Sequence, residues 1–246
     1  MPPKKKSEVM AQRKAEAIKL KQQQKKRRLI WFGTVGVVLI LVIVALAIQS
    51  TTTSKSTAKV ETFDYANLPV LGNPDAPVKI VEFGDFKCPS CKTFNETIKP
   101  QLQSDYIDQG KVAFYFMNLS FIGPDSYTAA LAAQSVYHQD NDLFWTYLDA
   151  IFKNQGDEQE EWATADFLVN VAKQENLSID YDLLKKDIEE MTYKSEVDAH
   201  NAKADELKLG GTPTLFINGK EYTSENYGDY DAMKQAIDLA AQEQSK

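Results

Sequence analysis

Three short stretches of the chain are rich in β-branched and aromatic residues and are bounded by turn residues. They lie at 78–83, 111–117 and 214–217, and each is typical of a strand. Asn218-Gly219 directly follows the third stretch and predicts a hairpin that returns through 220–222. At 231–242, apolar residues recur at helical spacing and predict a closing helix.

The region of about 125–209, between the second and third predicted strands, has helical periodicity throughout. Its pattern predicts helices within 129–133, 144–152 and 164–174, and one long charged helix over 182–207. The aromatic and aliphatic positions of 144–152 are interpreted as the core of this region. The sequence therefore predicts an α/β fold with a large all-helical insertion.

The first 60 residues have a different character. Residues 29–48 contain no ionisable side chain, which is the length and composition of a transmembrane helix. Residues 1–28 carry eleven Lys or Arg against two Glu, although the whole chain has a net charge of −7. We therefore expect a basic cytoplasmic segment at 1–28, a single membrane span at 29–48, a Ser/Thr-rich linker at 49–60, and an acidic domain at 61–246 outside the cell membrane.

The amino-terminal region allows two other interpretations. Residues 45–47 resemble the cleavage site of a secretory signal peptide, although the apolar run is long for one. The basic segment could contact nucleic acid, but it has no nucleic-acid-binding motif and precedes a membrane span. We expect contact with anionic membrane lipid and no nucleic-acid partner.

The only two cysteines of the chain, Cys88 and Cys91, enclose Pro89 and Ser90 at the point where the first predicted strand gives way to a helix. Residues three apart on a helix have Cβ atoms roughly 5 to 6 Å apart, close to the spacing that a disulfide requires. Pro89 suits the first helical position. The pair is predicted to be a reversible dithiol and disulfide couple.

Cys88 is predicted to be the reactive sulfur. The free N–H groups and the dipole of a helix N-terminus stabilise a thiolate there, so we expect Cys88 to be exposed with a lowered pKa and Cys91 to be more buried. A zinc site would need further ligands, and the only histidines are His138 and His200, without suitable spacing. A structural disulfide across so short a loop would constrain the unfolded chain little.

The order strand, Cys-Pro-x-Cys helix, strand, helical insertion, Gly-Thr-Pro-Thr at 211–214, hairpin and helix resembles the DsbA-type thioredoxin-fold oxidoreductases, and most closely the membrane-anchored BdbD branch of Gram-positive bacteria. The resemblance covers about Phe63 to the C-terminus. It implies a thiol:disulfide oxidoreductase that introduces disulfides into exported proteins without a cofactor or a metal. The implied partners are unfolded exported proteins with free thiols and a membrane quinone-linked thiol oxidase of the DsbB or BdbC kind as the reoxidant.

The resemblance also implies roles for residues outside the cysteine pair. It implies a cis bond between Thr212 and Pro213 beside the thiols, with the Thr212 backbone, Pro89 and Ser90 meeting the substrate. It places a buried acid at Glu82, which burial would give a raised pKa and which would exchange a proton with Cys91. An orientation of Glu82 toward solvent is the alternative, and Lys111 is matched to the family's buried lysine.

Several questions stay open at the level of sequence. Many relatives have His where this chain has Ser90, so reductase or isomerase activity is an alternative to disulfide formation. A second alternative is that the protein is a membrane-tethered binding module that does not use its thiols. The acidic residues near 180–190 could bind calcium, but they form no EF-hand loop and are interpreted as a charged helix face in water.

Overall fold

A five-stranded mixed sheet lies at the centre of the computed structural model, which describes residues 59–223 and 227–244. The strands occur in the spatial order β1, β3, β2, β4, β5. Strands β2 and β3 are parallel, and the other neighbouring pairs are antiparallel. Their bounds are β1 (Val70–Leu71), β2 (Val78–Gly84), β3 (Val112–Asn118), β4 (Thr214–Ile217) and β5 (Lys220–Tyr222).

The two parallel strands are buried on both faces. All of β3 is buried, and in β2 only Lys79 is partly exposed. Ile80 and Phe116 belong to the apolar cluster on the face that holds the cysteines, whereas Val81 and Tyr115 belong to the cluster on the other face. Their near-continuous apolar sequences are typical of strands covered on both sides.

The segment after β2 carries the cysteine pair. Helix α1 (Pro89–Thr93) begins with Pro89 at its first position and Cys88 as its N-cap. It continues through a π-helical turn (Phe94–Ile98), α2 (Lys99–Leu102) and a second π-helical turn (Gln103–Ile107) before β3. The predicted position of Cys88 at a helix N-terminus is confirmed.

The helical insertion between β3 and β4 is also confirmed. It consists of α3 (Pro124–Gln139), α4 (Asn141–Lys153), α5 (Ala165–Gln174), α6 (Tyr181–Glu189) and α7 (Lys194–Leu207). The side chains of Asp140, Thr164 and Asp180 accept hydrogen bonds from the first turns of α4, α5 and α6. Such caps satisfy N–H groups that have no partner within the helix.

The prediction of one long helix over 182–207 is wrong. The chain turns between α6 and α7, where Met191 has a φ of 54° and the N–H of Thr192 donates to the carbonyl of Asp187. A residue in the left-handed region cannot continue a right-handed helix. No Gly or Pro marks this turn, so the sequence carried no strong signal for it.

The hairpin and the closing helix occur where they were predicted. Asn218 and Gly219 have φ values of 48° and 77° between β4 and β5, as a tight turn with two left-handed residues requires. Helix α8 (Tyr230–Gln244) then packs against β2 and β4. The predicted basic segment, the membrane span and nearly all of the linker lie outside the described residues. Within 59–223 and 227–244, the structure contains no helix that is both long and apolar enough to cross a bilayer.

Candidate active site

The two thiols lie in the core rather than at its surface. Cys91 is fully buried and Cys88 is 7% exposed, and both are free thiols. The expectation that Cys88 is exposed is therefore wrong. Its Sγ lies 3.3 Å from the carbonyl oxygen of Thr212, and the Gln155 side chain binds its carbonyl, so loops from two other parts of the chain cover it.

The environment of Cys88 stabilises its thiolate. Stabilisation by the Cys91 thiol, and then by Thr212 and the N–H groups of Cys91 and Ser90, lowers the pKa of Cys88 to about 6 against the opposing effect of burial. The predicted direction is confirmed. At pH 7 this pKa corresponds to about ten thiolates for each thiol.

Cys91 has the opposite property. Burial, the hydrogen bond to Cys88 and the nearby Glu82 carboxyl raise its pKa well above the usual value of a thiol. Glu82 is 3% exposed in the middle of β2, so the alternative in which it faces solvent is excluded. Burial raises the pKa of Glu82 to about 8, the charge of Lys99 opposes that rise, and the charge of Cys88 adds to it.

The buried lysine near the acid is Lys99 rather than Lys111. Lys111 is exposed before β3, with its ammonium 5.8 Å from the centre of the Tyr106 ring. Lys99 is 3% exposed, bonds to the Asp149 carboxylate and lies 5.5 Å from the centre of the Trp145 ring. The match of Lys111 to a buried lysine is wrong, because Lys111 occupies the surface turn that leads into the strand.

The Thr212–Pro213 bond is cis, as the resemblance implied. Thr212 and Pro213 border a groove of about 290 Å³ next to Ser90. Pro89 and Ser90 are both exposed at the start of α1. The other described residues that line this groove are Thr93, Phe94, Thr97, Ile98, Tyr227 and Gly228.

Comparison with known proteins gives a consistent result. A profile of the thioredoxin family matches residues 66–239. The chain belongs to this family. It is 39% identical to the probable disulfide bond formation protein D of Bacillus cereus, over 87% of this chain and 97% of the relative. It is 41% identical to disulfide bond formation protein D of Bacillus subtilis, over 69% of this chain and 75% of the relative.

Solved structures of this family agree with the sequence relatives. The fold matches the crystal structure of oxidised BdbD from Bacillus subtilis with a TM-score of 0.70 at 38% identity, covering 75% of this chain and 98% of that one. DsbA from Chlamydia trachomatis matches in fold, with a TM-score of 0.66 at 21% identity over 76% of this chain and 97% of that one. This member of the thioredoxin family is a disulfide-forming thiol:disulfide oxidoreductase.

Sequence reasoning missed several residues of the site. Lys99 is the first residue of the short helix α2, and Gln155 lies two residues after the end of α4. Neither residue belongs to a recognisable motif. The groove residues Thr93 and Thr97 recur at helical spacing after Cys91 and could have been found from that helix pattern. Within the described part of the chain, no three His, Cys, Asp or Glu side chains are grouped so that they could hold a metal ion.

Proposed function

We propose that this protein forms disulfide bonds in exported proteins, with Cys88 as the sulfur that the substrate attacks and Cys91 as its resolving partner. The observation that carries the proposal is the opposite direction of the two thiol pKa values within one helical turn, about 6 for Cys88 and well above the usual value for Cys91. A stabilised Cys88 thiolate favours the reduced pair, which makes the disulfide a better oxidant.

The proposed reaction consists of two exchanges. A substrate thiolate attacks Sγ of Cys88 in the oxidised pair, the Cys88–Cys91 bond breaks, and Cys91 leaves. A second substrate thiolate then attacks the substrate sulfur of the mixed disulfide and releases Cys88 as a thiolate. The two substrate thiols lose two electrons and two protons to form their disulfide. The enzyme pair takes up both electrons and one proton, which ends on Cys91, and the other proton passes to solvent because Cys88 leaves as a thiolate. A thiol of low pKa is the better leaving group in the second step.

Glu82 is proposed to exchange a proton with Cys91. Because the pKa of Cys91 is raised, its leaving sulfur must acquire a proton, and a carboxyl with a pKa of about 8 is mostly protonated at neutral pH. The Oε1 atom of Glu82 is buried without a hydrogen-bond partner among the described residues. Glu82 is therefore a proton donor in the first exchange and an acceptor when the pair is reoxidised.

The groove beside Pro213 is the proposed substrate site. An extended substrate segment would pair with the backbone of Thr212, while Pro89 and Ser90 border its cysteine. The Thr212 carbonyl that contacts Cys88 Sγ places this backbone next to the reacting sulfur.

The cellular setting is proposed from the amino-terminal sequence. The apolar run at 29–48 would anchor the protein in the cell membrane with residues 1–28 in the cytoplasm against anionic lipid, and with the catalytic domain outside. The proposed partners are exported proteins with free thiols and a membrane quinone-linked thiol oxidase that reoxidises the pair. Tethering would raise the local concentration of each membrane partner for the other.

The direction of electron flow is tested by equilibrating the full-length protein with glutathione. For an oxidase we expect a potential less negative than about −200 mV, so that the pair is readily reduced. A potential below about −250 mV would instead identify a reductase.

The use of the thiols is tested by two substitutions. Cys91→Ser is first converted with oxidised glutathione to the mixed disulfide between Cys88 and glutathione. Reduced substrate proteins should then displace glutathione and accumulate as mixed disulfides with Cys88 on a non-reducing gel, and Cys88→Ser should form none and lose activity. A binding module would keep its function in both variants. The absence of adducts in Cys91→Ser would contradict the proposed roles.

A further inference from the structure

The loop that joins β2 to α1 is held by a buried carboxylate. Asp85 is 1% exposed, and its carboxylate accepts hydrogen bonds from the N–H groups of Lys87, Phe121 and Ile122 at 2.8, 3.0 and 3.2 Å. Phe121 and Ile122 precede the helical insertion. The carbonyl of Asp85 accepts from the N–H of Cys88 at 3.0 Å. This side chain therefore connects the cysteine loop to the segment that follows β3.

An ion pair of unusual burial makes a second connection. Lys87 directly precedes Cys88, and its side chain is 2% exposed. Its ammonium lies 2.6 Å from Oδ1 of Asp125 at the start of α3, and it also donates to the carbonyl of Glu160 at 2.9 Å.

The partner carboxylate is itself fixed by the insertion. Oδ2 of Asp125 accepts from the N–H groups of Trp162 and Ala163 at 2.9 and 3.0 Å. Asp125 therefore ties the start of α3 to the segment before α5, and Lys87 joins the cysteine loop to both.

A third connection comes from the end of α4. The side-chain amide of Gln155 donates to the carbonyls of Phe86 and Cys88 at 2.8 and 3.1 Å. Every residue of the loop from Asp85 to Cys88 is thus bonded to the insertion or to the segment leading into it, through its side chain or its carbonyl.

The energetics of the ion pair point away from a purely stabilising role. Desolvation of two charges offsets most of their attraction, and well-packed apolar residues often serve stability as well or better. Removal of one partner, however, leaves an uncompensated buried charge. The pair therefore fixes one arrangement of the loop more than it adds to the free energy of unfolding.

We propose that the Lys87–Asp125 ion pair is a positioning device by which the helical insertion holds the loop that carries Cys88. The N–H groups of Ser90 and Cys91 stabilise the Cys88 thiolate only while the loop keeps its present conformation. A loop that moved to hydrate an unpaired charge would turn the sulfur away from these donors. The inference rests on the proposed role of Cys88 as the attacked sulfur.

The test compares Lys87→Met with Asp125→Asn. If the pair acted on the sulfur only through its charges, loss of the lysine would raise the pKa of Cys88 and loss of the aspartate would lower it. If the pair positions the loop, both variants raise that pKa. The measurement is the ultraviolet absorbance of the thiolate against pH in the reduced full-length protein, with Cys88→Ser as the blank that assigns the signal to Cys88.

The redox equilibrium gives a second readout. A rise of one pKa unit from about 6 lowers the thiolate excess at pH 7 from about tenfold to about equal amounts of thiolate and thiol. The reduced form is then less favoured, and we expect the equilibrium with glutathione to shift about fivefold toward the disulfide. Lys87→Arg, which keeps a charge that can reach Asp125, should recover at least part of this shift.

Two further variants separate an effect on the cysteine loop from a general loss of stability. Ser135→Ala removes a buried 2.7 Å hydrogen bond to Asp187 within the insertion, so it should lower stability without changing the pKa of Cys88. Gln155→Leu removes two hydrogen bonds to the loop from a partly exposed position. It should fold even if the ion-pair variants do not, and it should raise the pKa of Cys88 by a smaller amount.

The outcomes separate this inference from the proposed function. An ordinary thiol pKa for Cys88 in the unmodified protein would overturn the proposed function. An unmodified pKa near 6 that stays near 6 in Lys87→Met, Asp125→Asn and Gln155→Leu would overturn the positioning role alone. Shifts of opposite sign in the two ion-pair variants would also overturn it.

Discussion

Two regions beside the central sheet each contain an ionisable side chain whose pKa is shifted by burial, with opposite consequences. In the middle of β2, burial raises the pKa of Glu82 to about 8, so the carboxyl keeps its proton. At the end of β3, burial lowers the pKa of His200 to about 4, so the imidazole stays neutral. His200 lies on α7, and its Nδ1 accepts from the N–H of Asn118 at 3.3 Å.

The difference between the two regions lies in their neighbours. Glu82 interacts electrostatically with the charge of Lys99 and with both thiols, and the thiols change protonation in the proposed reaction. His200 bonds to the side-chain amide and the backbone N–H of Asn118, and the charge of Glu196 only weakly opposes the lowering of its pKa by burial. Burial alone therefore perturbs a pKa in either place, and only the proximity of a reactive sulfur makes one of the two groups a candidate for chemistry.

Glu82→Gln should have the largest effect on the pH dependence of stability. Between pH 4.5 and 8, the unfolded chain has an ionised Glu82 while the folded protein keeps the proton. The unmodified protein therefore loses stability as pH rises through this range, by about 3 to 5 kcal/mol, and the variant does not. Urea denaturation of both reduced proteins at pH 5, 6.5 and 8 measures the difference.

The matched control is Glu221→Gln, an exposed glutamate of the same sheet in β5. Its stability difference from the unmodified protein should stay flat across the same pH range. A flat difference for Glu82→Gln as well would mean that Glu82 ionises normally, and the contrast with His200 would disappear.

His200→Gln tests the other region, where the sign is reversed. Below pH 6.5, His200 becomes protonated in the unfolded chain, whereas in the folded protein it stays neutral down to about pH 4. The unmodified protein should lose about 3 kcal/mol as pH falls through this window. Glutamine keeps an acceptor for Asn118 and should remove this loss.

The chain supplies its own control for this measurement. Its only other histidine, His138, is exposed, and its Nε2 lies 2.8 Å from the Glu196 carboxylate. His138→Gln should leave the acid-side loss of stability in place. If both histidine variants removed it equally, the burial of His200 would not be its cause.

The sequence predicted the chemistry of the first region because that chemistry is encoded locally. Cys88, Pro89 and Cys91 lie within four consecutive residues, and Glu82 lies shortly before them, in β2. The same local patterns correctly indicated the three principal strands and the hairpin at Asn218. Turn and cap residues define these features within a few positions.

The remaining features depend on contacts that no local pattern records. Lys99, rather than Lys111, is buried because of where the helix packs against Trp145, and the burial of Cys88 depends on Thr212 and Gln155 far along the chain. The turn at Met191 lacks Gly or Pro. These are tertiary effects, so spacing and composition could not supply them.

Gly84→Ala should show whether close packing around Glu82 excludes water from its carboxyl group. A Cβ at Gly84 would lie 2.5 Å from the ring of Phe116 and 3.3 Å from Oε1 of Glu82. Displacing the ring should cost about 1 to 3 kcal/mol and admit water, which reduces the pH-dependent loss attributed to Glu82. Gly210→Ala, which meets no atom within 4 Å, is the neutral control for denaturation. Equal stability of both variants would contradict this packing argument.

Lys99→Met should produce the smallest of these effects. It measures how far the charge of Lys99 offsets the rise that burial causes in the pKa of Glu82. The ammonium of Lys99 favours ionised Glu82, so its loss should raise the pKa of Glu82 by about one unit and extend the alkaline loss of stability by about 1.4 kcal/mol. Methionine keeps most of the apolar stem in place. A double-mutant cycle with Glu82→Gln at pH 9, where Glu82 is mostly ionised in the unmodified protein, isolates the interaction, and a coupling of about 1 kcal/mol is expected. Zero coupling would mean that burial alone sets the protonation of Glu82, and Lys99 would then serve only its contacts with Asp149 and Trp145.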